Sequence, residues 1–120
     1  MTILFASTPE GITIYDKSMI DPQTNDYRKI GYISIGGNTT YINKRISHNA
    51  KEQIETYAAE IRQKFQERFE KMDIFSQYYT ILDNIPMNKK GIIALRSIAK
   101  NAKAVKDKLP KLRKMYYQVA

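Results

Sequence analysis

The fold is decided where the hydrophobic period of the chain changes, in residues 28–72, which read RKIGYISIGGNTTYINKRISHNAKEQIETYAAEIRQKFQERFEKM. In the first part of this stretch, apolar and polar side chains alternate, as they do in a half-buried β-strand. From residue 49 the apolar side chains recur every three or four residues, which is the period of an amphipathic helix. The sequence therefore predicts an α+β protein in which the strands precede the helices.

The long helix is predicted to cover about residues 50–72. Asn49 is suited to cap it, because an asparagine side chain accepts a hydrogen bond from a free amide of the first turn, and Glu52 can reach back to the cap. The apolar residues share one side of the helix and are Ile54, Tyr57, Ala58, Ile61, Phe65, Phe69 and Met72. A stripe of this length predicts a helix packed across one face of the sheet.

Four strands, mostly antiparallel, are predicted in residues 1–46, where isoleucine, threonine and tyrosine dominate and turn residues recur at short intervals. Two hairpins are expected. The first joins Thr2–Ala6 to Ile12–Tyr15, and the second joins Arg28–Ile35 to Thr39–Ile42. Residues 17–26 are expected to form a loop between them.

One face of the third strand is predicted to be aliphatic, because Ile33 and Ile35 alternate with Tyr32 and Ser34. The turn that follows contains the range Gly36–Asn38. Glycine supplies the positive φ that a tight hairpin turn demands. The alternation predicts a sheet that is covered on one side only.

Two or three further helices are predicted after the long one. Asp73 and Asn88 are suited to cap the next two. The second of these is predicted to run from Lys89 to about Lys108, and Pro110 is expected to end it, because proline lacks an amide proton and clashes with the preceding turn. A last short helix is predicted over residues 111–119. The apolar side of the first of these helices comprises Ile74, Tyr78, Ile81, Leu82 and Ile85.

The chain of 120 residues is predicted to be a single domain with three parts of different composition. Residues 1–46 are rich in β-formers, and residues 47–85 are helical and near neutral. Residues 86–120, called the basic segment below, are helical and carry 10 basic residues against Asp107 alone. Because residues 1–85 carry 10 basic and 11 acidic residues, the whole net charge of +8 comes from the basic segment.

The composition also favours a cytoplasmic protein. The chain has no cysteine, which excludes disulfides, thiolate metal sites and cysteine nucleophiles. It shows no signal peptide and no apolar run long enough to span a membrane. Isoleucine occurs 17 times and leucine 5 times, a bias that is typical of AT-rich genomes and suggests a phage, a mobile element or an AT-rich bacterium as the source.

A search for catalytic patterns indicates a protein that is not an enzyme. No glycine-rich phosphate loop and no helical pair of zinc-binding histidines is present. His48, the single histidine, is expected to be exposed. The remaining enzymatic alternative is a metal-dependent nuclease that uses Asp16, Asp21 or Asp26 with a strand lysine. We therefore expect no catalytic residues, no metal and no cofactor.

The basic segment is predicted to bind a polyanion, most simply DNA, RNA or a nucleoprotein complex. If residues 89–108 form one helix, Lys89, Arg96, Lys100 and Lys103 share one of its faces. Cations at one-turn spacing can follow a phosphate backbone and release its condensed counterions. Tyrosines beside cations can stack on unpaired bases, although the rings of such tyrosines more often pack in the core while their hydroxyls reach water. The predicted site comprises Lys89, Lys90, Arg96, Lys100, Lys103, Lys106, Lys108, Lys111, Arg113, Lys114, Tyr116 and Tyr117.

Other partners are compatible with the same charge. The main alternative is a phage or mobile-element accessory protein, or inhibitor, whose basic surface binds an acidic patch on a host protein. Tyr15, Tyr32 and Tyr41 would then be its hot-spot cluster, if their face of the sheet is uncovered. A membrane surface is disfavoured because the basic helix lacks Trp and Phe. The helices on either side of residues 84–88 could also imitate a helix-turn-helix, although Pro86 occupies the turn in place of glycine.

Overall fold

The computed structural model describes residues 2–42, 45–85 and 88–120, with the backbone alone described for Lys89. The four strands are β1 (Ile3–Thr8), β2 (Gly11–Asp21), β3 (Asp26–Ser34) and β4 (Thr39–Tyr41). The four helices are α1 (His48–Glu70), α2 (Ile74–Asn84), α3 (Lys89–Ser97) and α4 (Ala102–Val119). The predicted α+β class, with an antiparallel four-stranded sheet before the helices, is confirmed.

The strands form one antiparallel sheet in the order β1-β2-β3-β4. The loop predicted over residues 17–26 is wrong, because β2 continues to Asp21 and β3 begins at Asp26. Register shifts between Ile14 and Tyr15 and between Asp16 and Ile20 let the two strands stay paired through this irregular stretch. The remaining turn is held by Asp21, whose carbonyl accepts from the Asn25 amide at 2.8 Å.

The chain divides into two compact units, Met1–Phe65 (the N-terminal unit) and Gln66–Ala120 (the C-terminal unit). Whether they fold as the single predicted domain stays a prediction. In the N-terminal unit, α1 packs on one face of the sheet, as predicted. Ile54 and Ala58 from α1 are fully buried against Ile14, Ile30 and Ile33 from the strands.

Two local predictions in the N-terminal unit are wrong. Ile35 does not continue the buried face of β3: the strand ends at Ser34, and Ile35 is 58% exposed. Asn49 does not cap α1, which begins one residue earlier at His48. The Ser47 hydroxyl accepts from the Ala50 amide at 3.2 Å and takes the role of the cap.

The C-terminal unit is built mainly by α2 and α4. The predicted caps of α2 and α3 are confirmed: Asp73 accepts from the Ser76 amide, and Asn88 accepts from the Gly91 amide. Because the apolar residues of α2 and α4 recur at helical spacing, each helix buries one side. The buried apolar residues of the two helices are Tyr78, Ile81, Leu82, Val105, Leu109, Leu112 and Tyr116.

The predicted helix over residues 89–108 is instead two helices. α3 ends at Ser97, and Asn101 caps α4 by accepting from the Lys103 and Ala104 amides at 3.1 and 3.3 Å. Pro110 does not end α4 but lies inside it, on its exposed side. The burial of Leu109 and Leu112 on either side of the proline outweighs its cost of about 3 kcal/mol.

In residues 2–42, 45–85 and 88–120, no helix combines the length and the apolar character that crossing a bilayer requires.

Candidate functional site

The break between α3 and α4 changes the geometry of the predicted binding surface. Arg96 and Lys103 do not share one helix face, since they belong to different helices. The face predicted from a continuous helix is therefore wrong. Lys100 lies in the short connection between the two helices, and the side chain of Lys89 lies outside the described part of the chain.

Most of the basic side chains are now presented by α4. Its buried residues define an inner side, and at about 3.6 residues per turn Lys103 and Lys114 lie opposite to it together with Asp107, while Lys106 lies on one flank. All four residues are exposed. We call Lys103, Lys106 and Lys114 the lysine face. Lys108 and Lys111 lie on the other flank of α4.

Arg96 is engaged within the C-terminal unit. Its guanidinium forms an ion pair with Asp83 of α2 and lies over the Tyr79 ring, 5.9 Å from the centroid. The hydroxyl of the buried Tyr78, in α2, donates a hydrogen bond to the carbonyl of Leu95 in α3. These polar contacts attach α3 to α2 and occupy the arginine.

Arg113 is the second arginine of the basic segment, and it is also engaged. Its Nη2 donates to Oε1 of Gln77 at 2.9 Å, and Gln77 is only 4% exposed. The Gln77 amide nitrogen donates in turn to the Met72 carbonyl at 2.8 Å and the Glu70 carbonyl at 3.3 Å. Arg113 is therefore part of the contact between α4 and the end of α1.

The two tyrosines of the predicted site also make internal contacts. The Tyr116 ring is 7% exposed and stacks on Phe69 at 5.0 Å between centroids. Tyr117 lies edge-on to Phe69 at 5.8 Å, and its hydroxyl donates to Glu70 at 3.2 Å. Because Tyr116 is buried, its ring is not accessible to a base, and Tyr117 is only half-buried.

The environment of Tyr117 raises the pKa of its hydroxyl, so this group should lose its proton at a higher pH than an ordinary tyrosine. Burial, followed by the charge and hydrogen bond of Glu70, raises the pKa of Tyr117 to about 12 from its ordinary value of 10.0. The unfolded chain loses this proton first, so the free energy of unfolding should fall as the pH rises from about 10 towards 12. Tyrosinate absorbance should show several late-titrating groups, and Tyr117→Phe should remove one of them. If the variant titrates like the wild type, the assignment to Tyr117 is wrong.

The lysines behave differently from the arginines. In the part of the chain that the structure describes, Lys90, Lys100 and the five lysines of α4 are exposed and form no ion pair. The one acid of the basic segment, Asp107, is also exposed. The five lysines are Lys103, Lys106, Lys108, Lys111 and Lys114. Their charge is therefore available to a partner.

The comparisons with known proteins give no family. No protein-family model matches this chain, and no similar chain was found among curated proteins or solved structures.

The acids considered for a nuclease have local structural roles. Asp16 is 3% exposed and accepts from the Ser18 amide at 2.9 Å. Asp21 accepts from the Gln23 amide in the β2–β3 turn, and its cross-strand partner is Asp26. His48 is exposed and pairs with a carboxylate one turn along α1. Within the described ranges, no three metal-binding side chains are grouped closely enough to hold an ion.

The three strand tyrosines do not form one cluster. The register of β2 and β3 places Tyr15 and Tyr32 on the face that points away from α1, and Tyr32 is 41% exposed. Tyr41 lies on the opposite face, which packs against α1, and its hydroxyl donates a hydrogen bond to Glu55 at 2.6 Å. Burial and this carboxylate raise the pKa of Tyr41 to about 12. The expected hot-spot cluster is therefore wrong for Tyr41.

The helix-turn-helix alternative depends on the turn at residues 84–88. Pro86 and Met87, which would form the turn, lie outside the described residues, so this alternative stays a prediction.

Sequence reasoning missed the start of α4. The available signal was Asn101, a preferred capping residue that precedes the run Ala-Lys-Ala.

Proposed function

We propose that this protein binds nucleic acid, free or in a nucleoprotein complex, through the lysines of its basic segment and without a chemical step. One observation carries the proposal: the described lysines of this segment are exposed and have no ion pair within the protein. A solvated helix face ordinarily mixes charges of both signs. Here Asp107 is the single acid among residues 86–120.

We also infer a cytoplasmic location, since the chain has no cysteine.

The spacing of the lysine face suits a phosphate backbone. Lys103 and Lys114 are separated by about 16 Å along α4, at about 1.5 Å per residue. A DNA duplex carries one negative charge per about 1.7 Å of its axis, so several phosphates fall within this length. Each neutralised phosphate releases condensed counterions, and this release supplies most of the affinity of non-specific binding.

The type of side chain supports contacts to phosphates over contacts to bases. Arginine is the usual residue for bidentate recognition of guanine, but the exposed Arg96 is ion-paired with Asp83 and Arg113 is hydrogen-bonded to the buried Gln77. Lysine is a mobile point charge, which suits a phosphate oxygen. Phosphate contacts carry no direct sequence information. The proposed binding is therefore sequence-tolerant.

Reversal of two charges on the lysine face should weaken the binding. For Lys103→Glu/Lys114→Glu, we expect an affinity for labelled nucleic acid at least tenfold lower than wild type, measured by fluorescence anisotropy. If about six phosphates are neutralised, log K should fall against log salt with a slope near −5, and the double variant should have a slope near −3.5. Duplex and single-stranded DNA and RNA should be compared as probes.

The matched control reverses two exposed lysines in the N-terminal unit. Lys17→Glu/Lys64→Glu changes the net charge by the same amount and should keep an affinity within about threefold of wild type, because long-range charge effects are screened by salt. Equal losses in both double variants would show that only net charge matters. If none of the four probes binds at low salt, the proposal is wrong.

A further inference from the structure

We propose that the groove between α3 and α4 binds an acidic amphipathic helix of a partner protein. The groove has a volume of about 360 Å³ and is lined by Leu95, Asp107, Lys108, Lys111, Leu112 and Met115. It lies on the flank of α4 away from the lysine face. The proposal concerns a protein partner and does not rest on nucleic-acid binding, although Lys108 and Lys111 belong to both surfaces.

The floor of the groove is apolar. Leu112 is buried, Leu95 is partly buried, and Met115 leaves 39% of its surface exposed. An apolar floor offers no interaction to a phosphate backbone, but it can bury a large apolar side chain. Methionine is flexible and polarizable, so Met115 can adapt to the shape of such a side chain.

The rim of the groove determines the charge of the partner. Lys108 and Lys111 are exposed, and neither forms an ion pair within the described residues. Carboxylates that flank an apolar side chain would meet these two lysines while the side chain contacts the floor. Asp107 also lines the groove, so the carboxylates of the partner must lie beside Lys108 and Lys111 and away from Asp107. The apolar floor beside these lysines favours an amphipathic acidic peptide over nucleic acid.

Both walls of the groove are fixed in the free protein. On the α3 side, the carbonyl of Leu95 is held by the hydroxyl of Tyr78, which is fully buried. On the α4 side, Leu109 and Leu112 are buried in the C-terminal unit. A preformed groove lowers the entropic cost of binding. Residues 107–115 extend over about 12 Å, which is about two turns of a bound helix.

The test uses a designed probe, because the natural partner is not identified. The probe is a fluorescein-labelled peptide of about 14 residues, or about four turns, with leucines on one face and glutamates on the other. Fluorescence anisotropy measures its binding to the full chain. One control peptide replaces the leucines with glutamines, and a second replaces the glutamates with glutamines. We expect each control peptide to bind at least tenfold more weakly than the probe.

Two pairs of protein variants locate the binding. Met115→Glu should lower the affinity for the probe at least tenfold, whereas Met72→Glu, which alters a methionine of similar exposure (43%), should not. Lys108→Glu/Lys111→Glu should likewise lower the affinity for the probe more than Lys103→Glu/Lys114→Glu does. Circular dichroism of each variant shows whether it is folded. If Met115→Glu is not folded, Met115→Gln replaces it and should lower the affinity about fivefold.

Three results would overturn the inference. They are no binding of the probe at millimolar protein, equal binding of the leucine and glutamine peptides, or equal losses in groove and control variants. The groove and the lysine face can fail separately. Met115→Gln leaves the charge unchanged, so it should alter probe binding and leave nucleic-acid affinity within about twofold of wild type.

Discussion

Gly37→Ala is expected to lower the free energy of unfolding of the N-terminal unit by about 3 kcal/mol or more. Gly37 has a φ of +86°, a backbone conformation that costs an alanine about 1–2 kcal/mol. A Cβ atom there would also lie 2.7 Å from the Ala58 carbonyl oxygen and 2.7 Å from both the amide nitrogen and the Cβ of Arg62. Relief of these contacts requires the turn to move away from α1, at a further cost of about 1–3 kcal/mol.

The turn at Gly37 is also tied to α1 by hydrogen bonds. Its carbonyl accepts from the Arg62 guanidinium at 3.0 Å, and its amide donates to the Ser34 carbonyl at 2.9 Å. A displaced turn would lose both contacts. Because Gly37 closes the β3–β4 hairpin over the helix, the substitution should loosen the pairing of β4 as well as the packing of α1.

Urea denaturation monitored by circular dichroism measures this effect. Gly91→Ala is the matched control: it adds the same methyl group within a helix, at an ordinary φ, where the nearest atom is the Asn88 side-chain oxygen at 3.1 Å. Alanine favours a helix over glycine by about 1 kcal/mol, so this variant should remain within about 1 kcal/mol of wild type. If Gly37→Ala and Gly91→Ala unfold at the same urea concentration, the argument from the turn is wrong.

Gln77→Leu is expected to destabilise the C-terminal unit by about 3 kcal/mol. Gln77 is buried, and its amide group connects three elements: the end of α1, the start of α2 and Arg113 of α4. Leucine fills a similar volume but cannot form any of these hydrogen bonds. Each buried polar group that loses its partner costs about 1–3 kcal/mol, and more for a charged group such as the guanidinium.

Arg113 would be affected most by this change. Within the described residues its Nε atom is already buried without a hydrogen-bond partner. The hydrogen bond from its Nη2 to Gln77 therefore offsets part of the cost of desolvating the guanidinium. Removing both partners should therefore cost less than the sum of the single changes. We expect Gln77→Leu/Arg113→Met to be more stable than additivity predicts by about 1–2 kcal/mol.

A double-mutant cycle in urea provides this measurement. Gln77→Leu, Arg113→Met and the double variant are compared with wild type at one pH and one salt concentration. Strict additivity would mean that the two side chains do not interact. A loss below about 1 kcal/mol for Gln77→Leu alone would show that water satisfies the freed groups.

The predictions that succeeded depended on short-range chemistry. The residues that cap α2 and α3, Asp73 and Asn88, were identified because a side chain capping its own first turn needs no distant partner. The stripe of α1 was identified because its helical period is visible over several turns. Ser47 was missed as a cap because Asn49 is an equally good capping residue two positions later.

The predictions that failed depended on distant parts of the chain. Pro110 remains within α4 because Leu109 and Leu112 are buried on the inner side of that helix. β2 continues to Asp21 because β3 pairs with it across two register shifts. In both cases a tertiary contact outweighs a local preference that the sequence shows clearly.

The sequence by itself determined the α+β class, the order of the elements and the concentration of positive charge in residues 86–120, because period, turn chemistry and charge are local properties. Only the tertiary structure decided which charged and aromatic groups remain available. Arg96, Arg113 and Tyr116 pair with or pack against residues 13, 36 and 47 positions away in the chain, whereas the lysine face forms no ion pair within the described residues. The physical reason is that burial and pairing depend on neighbours that come together only when the chain folds.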